Sequence, residues 1–347
     1  MSAGFDIAIV GASPLATLLA GLLQARHGRR VVQLADIEAG FRLPRGIDLS
    51  AAPITRPETW EILVESRQET LKLIAPLVER SALAGTELTI VAQSPESVVA
   101  LAHLHQMVTA YGHVAERRPD AMVRDAELLV IDDVVVLRHE KLLAPLLSWA
   151  GECGVVVENG AVRRITGSAA EGFALETSAG SVSASLVVLV GPDGVRGLKA
   201  LPPGLVAGHG TILLGQPSPL PPMLRLGLDS GALVHVDAHG APLGFGHGED
   251  EAARGAIADL LRLDDPLPLA ARRRVASVSS ADAAPYIGRA VADGVFFACG
   301  LGPAAGFWAP ALARHIAGAG PEAEDSFFRT HAPGAERHLV RDIGAAA

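Results

Sequence analysis

Hydrophobic positions near the start of the chain change period twice, and each change predicts an element. Asp-Ile-Ala-Ile-Val at 6–10 is a short continuous apolar run, Gly11, Ala12, Ser13 and Pro14 form a breaker cluster, and residues 15–26 carry apolar side chains at helical spacing. Gly28 closes that helix, and Arg-Val-Val-Gln-Leu at 30–34 reads as a second buried strand ending at Ala35 and Asp36. The N-terminus is therefore predicted to be a strand, a turn, a helix and a strand. Downstream, helices are predicted over 58–75, ended or kinked by Pro76, over 94–111 with Ser94 as N-cap and Pro95 in the first turn, over 140–152 and over 249–263. Strands are predicted at 86–92, 128–131, 134–137, 154–158, 162–165, 173–177 and 185–190, the last running into a turn at Gly191.

From 201 to 269 the pattern differs. Prolines punctuate short strands at 211–214, 232–236 and 242–245, and successive strands with short turns predict an antiparallel sheet. Near the C-terminus the opening pattern returns. An apolar run at 294–300 ends in Gly300, a glycine-rich turn follows from Gly302 to Gly306, and a helix runs to Ala317.

The first turn has chemical meaning because a dinucleotide diphosphate needs backbone N–H groups and a helix N-terminus with no side chain in the way. In the fingerprint G-x-G-x-x-G/A the three positions here are Gly11, Ser13 and Ala16. Ala16 is a permitted variant, whereas Ser13 puts a side chain where bare backbone is preferred. Its hydroxyl could donate to a phosphate, and Pro14 suits a first helical turn. The turn alone fits either a nucleotide site or a structural unit with a compact bend. Asp36 best matches the acidic residue that holds a ribose hydroxyl, and there it would disfavour a 2'-phosphate.

Bulk properties narrow the classes. The 347 residues allow two domains, and a hydrophobic share of 49% with mean hydropathy of +0.32 is ample for packed cores. A net charge of -9 argues against nucleic acid or an anionic membrane as main partner. Arg272, Arg273 and Arg274 form the one basic run, read as a solvated lead-in to a strand. Cys153 and Cys299 are far apart, so neither a disulfide framework nor a structural zinc site is expected, and Cys299 reads as a small buried residue. His103, His105 and His113 lack a third ligand on their face, so no metal is expected. No apolar stretch is long enough to span a bilayer, no basic leader precedes the first strand, and the cytoplasm is the expected compartment.

The C-terminal block carries a family resemblance. Asp282, Pro285, Ile287 and Gly288 are followed by Gly294-Val-Phe-Phe-Ala-Cys-Gly300, then Gly302, Pro303, Gly306 and Phe307, then Ala-Pro-Ala-Leu-Ala at 309–313. In that order, together with the N-terminal unit, the tract at Val162 and the strand ending at Gly191, the chain resembles the D-amino-acid-oxidase-like FAD enzymes, which include glycine and sarcosine oxidases. The resemblance implies an α/β fold, with a Rossmann-type FAD-binding domain and a second, mainly antiparallel β-sheet substrate domain. The first would comprise residues 1–85, 138–202 and 274–347, and the second 86–137 and 203–273.

Non-covalent FAD is the implied cofactor. Gly11, Ser13, Pro14, Asp36 and Val162 would hold its adenine half. Arg42, Ser50, Gly191, Gly300, Leu301, Gly302, Gly306 and Phe307 would serve the remainder. The implied reaction is dehydrogenation of a C–N bond in a small-molecule amine or imino substrate, with hydride passing to the flavin. Two departures qualify it. Ser277 stands where such enzymes place a carboxylate-gripping arginine, and Pro303 to Ala305 fill the glycine turn where another cation is sometimes found. Arg225, His235, His247 and Tyr286 are the candidates for substrate contact. The alternative is a flavin-binding or flavin-less subunit that keeps the fold without the chemistry, working with a protein partner or as a homo-oligomer.

Overall fold

The N-terminal unit forms as strand Phe5–Val10, helix Pro14–His27 and strand Val31–Ala35 in a computed structural model that describes residues 4–35, 46–83, 85–121, 125–196, 198–265, 267–290 and 294–335. Phe5–Val10 sits centrally in the first sheet. Ile7, Ala8 and Ile9 are all nearly solvent-free, which is why the strand reads as a continuous apolar run and not as an alternation. Among the described residues, five strands of this sheet run parallel, in the order Val156–Asn159, Val31–Ala35, Phe5–Val10, Ser181–Val190 and Phe296–Cys299. Tyr286–Arg289 adds antiparallel at the edge. A hairpin, Val162–Ser168 and Gly172–Thr177, pairs with the early part of Ser181–Val190.

Helix Pro14–His27 buries Leu15, Leu18, Leu19, Leu22 and Leu23 in one cluster with Leu142 and Leu146 of helix His139–Glu152 and Leu312 of helix Ala309–Ala317. Each such leucine contributes roughly 1.5–3 kcal/mol. Gly28, at φ 62, ends the helix, its N–H donating to the Gln24 carbonyl at 3.2 Å.

Among the described residues the second sheet has nine strands. Its main path is Leu269–Ser280, Leu205–Gly215, Pro242–His247, Leu233–Val236, Met223–Gly227, Gly85–Ala92, Glu127–Arg138 and Ile47–Leu49, with Ala115–Pro119 also against Glu127–Arg138. Neighbours are antiparallel except for the parallel pair Met223–Gly227 and Gly85–Ala92. Leu101, Leu104 and Val108 of helix Pro95–Ala110 join one core cluster of this sheet, and Ile257, Leu260 and Leu261 of helix Asp250–Leu261 join another.

Some elements differ from the sequence pattern. The strands predicted at 128–131 and 134–137 are one strand, Glu127–Arg138. Asp133 adopts φ 56 within it, and the ladder shifts register between Thr86 and Leu88, so the acidic pair at 132–133 marks a bulge and not a turn. Ala115–Pro119 was not predicted because its residues are largely exposed and show no apolar period. Met223–Gly227 escaped notice behind Pro221 and Pro222. The early strand Ile47–Leu49 belongs to the second sheet, and Leu269–Ser280 pairs with Leu205–Gly215 along its length, so the expected boundary at 273/274 falls inside a strand of that sheet.

Candidate active site

Phe5–Val10, Ser181–Val190 and Phe296–Cys299 lie side by side and parallel, so their C-terminal ends finish at one edge. Val10 is in register with Leu189, and Val190 with Ala298. Each strand runs into a glycine with positive φ: Gly11 at 155°, Gly191 at 61° and Gly300 at 64°, with Gly302 at 61° just beyond. Helix Pro14–His27 carries the chain to one side of Phe5–Val10 while Ser181–Val190 lies on the other. Such a point, where strand order reverses, is where open α/β sheets take ligands.

A cavity of about 380 Å³ opens there. Ser13, Leu15, Gly191, Gly300, Leu301 and Gly302 line it from the first sheet, and residues 273–280 with Phe245 and His247 line it from the second. The two glycine bends from opposite ends of the chain thus meet at one space.

At the first bend, Ser13 takes φ -83° and ψ 159°, an ordinary extended conformation that needs no glycine. Its Oγ accepts the Ala16 N–H at 3.3 Å, and its carbonyl accepts the Thr17 N–H at 3.2 Å. The residue replacing the second glycine is therefore the helix N-cap. A hydroxyl that accepts still carries its own proton, so Ser13 keeps one donor for a ligand. Behind the bends, buried Cys299 donates its thiol to the Gly191 carbonyl at 3.8 Å, and burial pushes the thiol pKa up to about 12.

One feature of the cavity has no signal in the sequence. His139 Nε2 lies 3.0 Å from Asp48 Oδ2, with side-chain exposures of 15% and 5%. His139 Nδ1 is buried and has no hydrogen-bond partner among the described residues. Gly306 closes over the pair, since a Cβ added there would sit 2.7 Å from Asp48 Oδ2. The two residues are 91 apart in the chain and meet because Ile47–Leu49 pairs with the end of Glu127–Arg138.

The predicted site residues divide. Ser13, Gly191, Gly300, Leu301, Gly302 and His247 line the cavity. Gly11 and Pro14 form the bend beside it, and Gly11 is packed so closely that an added Cβ would lie 3.0 Å from the Val190 carbonyl oxygen. Gly306 and buried Phe307 lie in the 3₁₀ segment behind Gly302, where the Phe307 carbonyl accepts the Ser66 hydroxyl at 2.6 Å. Ser50 is buried and its Oγ accepts the Val135 N–H at 2.8 Å, a local bond that secures the chain after Leu49. Val162 starts a hairpin strand and does not line the cavity. Asp36 and Arg42 lie outside the described residues.

Of the substrate candidates, only His247 lines this cavity, and burial holds its pKa below the usual histidine range. Tyr286 is buried, donating its hydroxyl to the Pro203 carbonyl at 3.1 Å with its ring edge-on to Phe297. His235 is half-buried near Arg138 and Asp237, and burial lowers its pKa to about 4. Arg225 lines a separate cavity of about 410 Å³ and donates to the Leu260 carbonyl at 2.8 Å. His103, His105 and His113 each contact a local group, respectively the Thr55 carbonyl, the Ala115 carbonyl and Arg67.

No protein-family model and no curated protein matches the chain. Solved structures do. Glycine oxidase from Geobacillus kaustophilus aligns with a TM-score of 0.69 at 16% identity, covering 96% of this chain and 99% of that one. L-proline dehydrogenase from P. horikoshii aligns with a TM-score of 0.72 at 14% identity, covering 97% and 100%. Iminodiacetate oxidase from Chelativorans sp. BNC1 aligns with a TM-score of 0.72 at 16% identity, covering 95% and 100%. The chain therefore shares, over nearly its whole length, the fold of these solved structures.

Proposed function

We propose that the chain is an FAD-dependent oxidoreductase that dehydrogenates a C–N bond of an amine or imino substrate. The observation that carries this reading is the bare backbone at the meeting of the bends. Gly191 and Gly302 both line the cavity, and a Cβ added to either would find no atom within 4 Å. Open glycine backbone at the ends of parallel strands is the surface that a dinucleotide diphosphate and a ring edge can approach. The three solved structures compared above are named as a glycine oxidase, an L-proline dehydrogenase and an iminodiacetate oxidase, which supports the same reading.

In this arrangement the bend from Gly11 to Pro14 and Gly191 would hold the diphosphate, with the Ser13 hydroxyl as an added donor. Gly300, Leu301 and Gly302 would border the flavin, and Val162 and Asp36 would serve the adenosine end. The bound flavin would supply the acceptor for hydride from the carbon next to nitrogen. The chain's own residues do the remaining work. Strand Leu269–Ser280 walls the substrate side with the short side chains of Ser277 and Ser279, and half-buried Phe245 limits water. His247, whose pKa burial holds below the usual histidine range, is suited to accept a hydrogen bond from an amine. The discontinuous division into cofactor and substrate domains is part of this proposal.

The test is anaerobic titration of the flavin-loaded protein with a panel of primary, secondary and cyclic amines while the flavin absorption is followed. Bleaching by one member supports the reading. A bound flavin that no amine reduces refutes the reaction, and a protein that takes up no flavin keeps only the fold.

A further inference from the structure

We infer that Asp48 is the cation anchor of the cavity, so that the substrate class is an amine taken up as its ammonium, with no carboxylate on the carbon next to nitrogen. Which bond reacts rests on the function proposed above; the anchor rests on the cavity itself. Strands Ile47–Leu49 and Leu269–Ser280 stand at opposite ends of the second sheet's main path, yet residues of both line the cavity, so the sheet wraps round it. Asp48 and His139 line it together with Gly302 and Ala305, from the turn that would border the flavin.

The bonds around Asp48 settle its charge. His139 Nε2 meets Asp48 Oδ2 at 3.0 Å, while His139 Nδ1 is buried without a partner among the described residues. A neutral ring with its proton on Nε2 makes that bond and leaves only a lone pair unmatched. An imidazolium would leave a buried N–H donor unmatched as well as a charge. The pair therefore keeps the single negative charge of the carboxylate. Gly306 closes over Oδ2, and Oδ1 has no hydrogen-bond partner among the described residues, nor does any Lys or Arg pair with Asp48. The other carboxylate lining the cavity, Asp193, has Arg196 at 3.7 Å. A carboxylate only 5% exposed is costly without a cation, and an ammonium brings both the opposite charge and N–H donors for Oδ1.

The same charge works against amino acids. A carboxylate on the carbon beside the ammonium would be held next to Asp48, where two like charges in a water-poor space repel. Nothing on the opposite wall offsets this. Ser277 is uncharged, Arg274 is bound to Glu249 at 3.0 Å, and Arg273 is engaged as well.

The test compares benzylamine, benzyl alcohol and phenylglycine, which share one ring and carbon and differ in charge, by calorimetry and thermal shift on flavin-loaded and flavin-free protein. We expect the wild type to bind benzylamine about tenfold or more tighter than either of the others, a gap of about 1.4 kcal/mol. Asp48→Asn should erase the preference over the alcohol. Glu322→Gln, which removes an exposed carboxylate that does not line the cavity, should leave it intact. Equal binding of amine and alcohol by the wild type, phenylglycine binding as tightly as benzylamine, or a preference that survives Asp48→Asn would overturn the inference. So would an Asp48→Asn protein that loses FAD affinity while its ratio of amine to alcohol binding is unchanged, since Asp48 would then serve the cofactor. The wild-type ratios decide the matter even if Asp48→Asn does not fold. Because the probes are read by binding, with and without flavin, a bound flavin that no amine reduces would defeat the proposed reaction while these ratios still decided the anchor.

Discussion

Gly302→Asn separates the strain of a bend from the occupancy of a cradle. Gly302 sits at φ 61° with open space beyond its Cα, so an added side chain meets no protein atom and enters the cavity. Asparagine is the side-chain-bearing residue most at ease in the left-handed region, and its penalty lies near the low end of 1–2 kcal/mol. About 1 kcal/mol lowers the melting midpoint of a chain this size by about 2 °C. Gly318→Asn is the matched control. Gly318 caps helix Ala309–Ala317 at φ 70°, also has no atom within 4 Å of an added Cβ, and does not line the cavity. Both variants should melt about 2 °C below wild type. Only Gly302→Asn should weaken FAD binding, by at least tenfold in a fluorescence-quench titration, equivalent to 1.4 kcal/mol or more. If Gly302→Asn binds FAD as tightly as Gly318→Asn does, the cavity at this bend is not the flavin cradle.

Further outcomes follow from the same geometry. Asp48→Asn weakens the buried bond to His139 and should cost about 1–2 kcal/mol, read as a lower urea midpoint. Burial holds His113 and His235 at about 4, below the ordinary 6.5, so both are neutral in the folded chain at pH 6. Between these values the unfolded chain binds protons that the folded chain refuses, and stability therefore falls as pH drops below 6.5. Urea midpoints should decline from pH 7 to about 5, and replacing both histidines by glutamine should flatten that decline. An aromatic disulfide reagent should label half-buried Cys153 in the folded protein and reach Cys299 only on unfolding, because Cys299 is 1% exposed with its thiol pushed up to about 12. Rapid labelling of both thiols under native conditions would contradict the packing behind the bends.

What could be read from the sequence was whatever local periodicity encodes. The run at 6–10 announces a strand buried on both faces, and the positive-φ turns at Gly11 and Gly300 are visible because few other residues tolerate that backbone. Leu269–Ser280 carries a pattern that composition does not disclose. Arg272 to Arg274 read by composition as one solvated group, although a strand's period of two sends the middle arginine to the opposite face from its neighbours. Arg225 and Tyr286 were sensible candidates by residue type, yet tertiary packing directs one toward helix Asp250–Leu261 and the other toward Pro203. The Asp48–His139 contact spans 91 residues and depends on a three-residue strand, so no local pattern could disclose it. Ser13 was legible as a departure, but its role as the helix cap needed the turn geometry.

An absorption spectrum of the freshly purified protein, with mass identification of whatever heating releases, tests the central claim most directly. The account predicts flavin absorption bands and released FAD in about one-to-one ratio with the chain. A colourless protein that still fails to bind added FAD in a titration would contradict it.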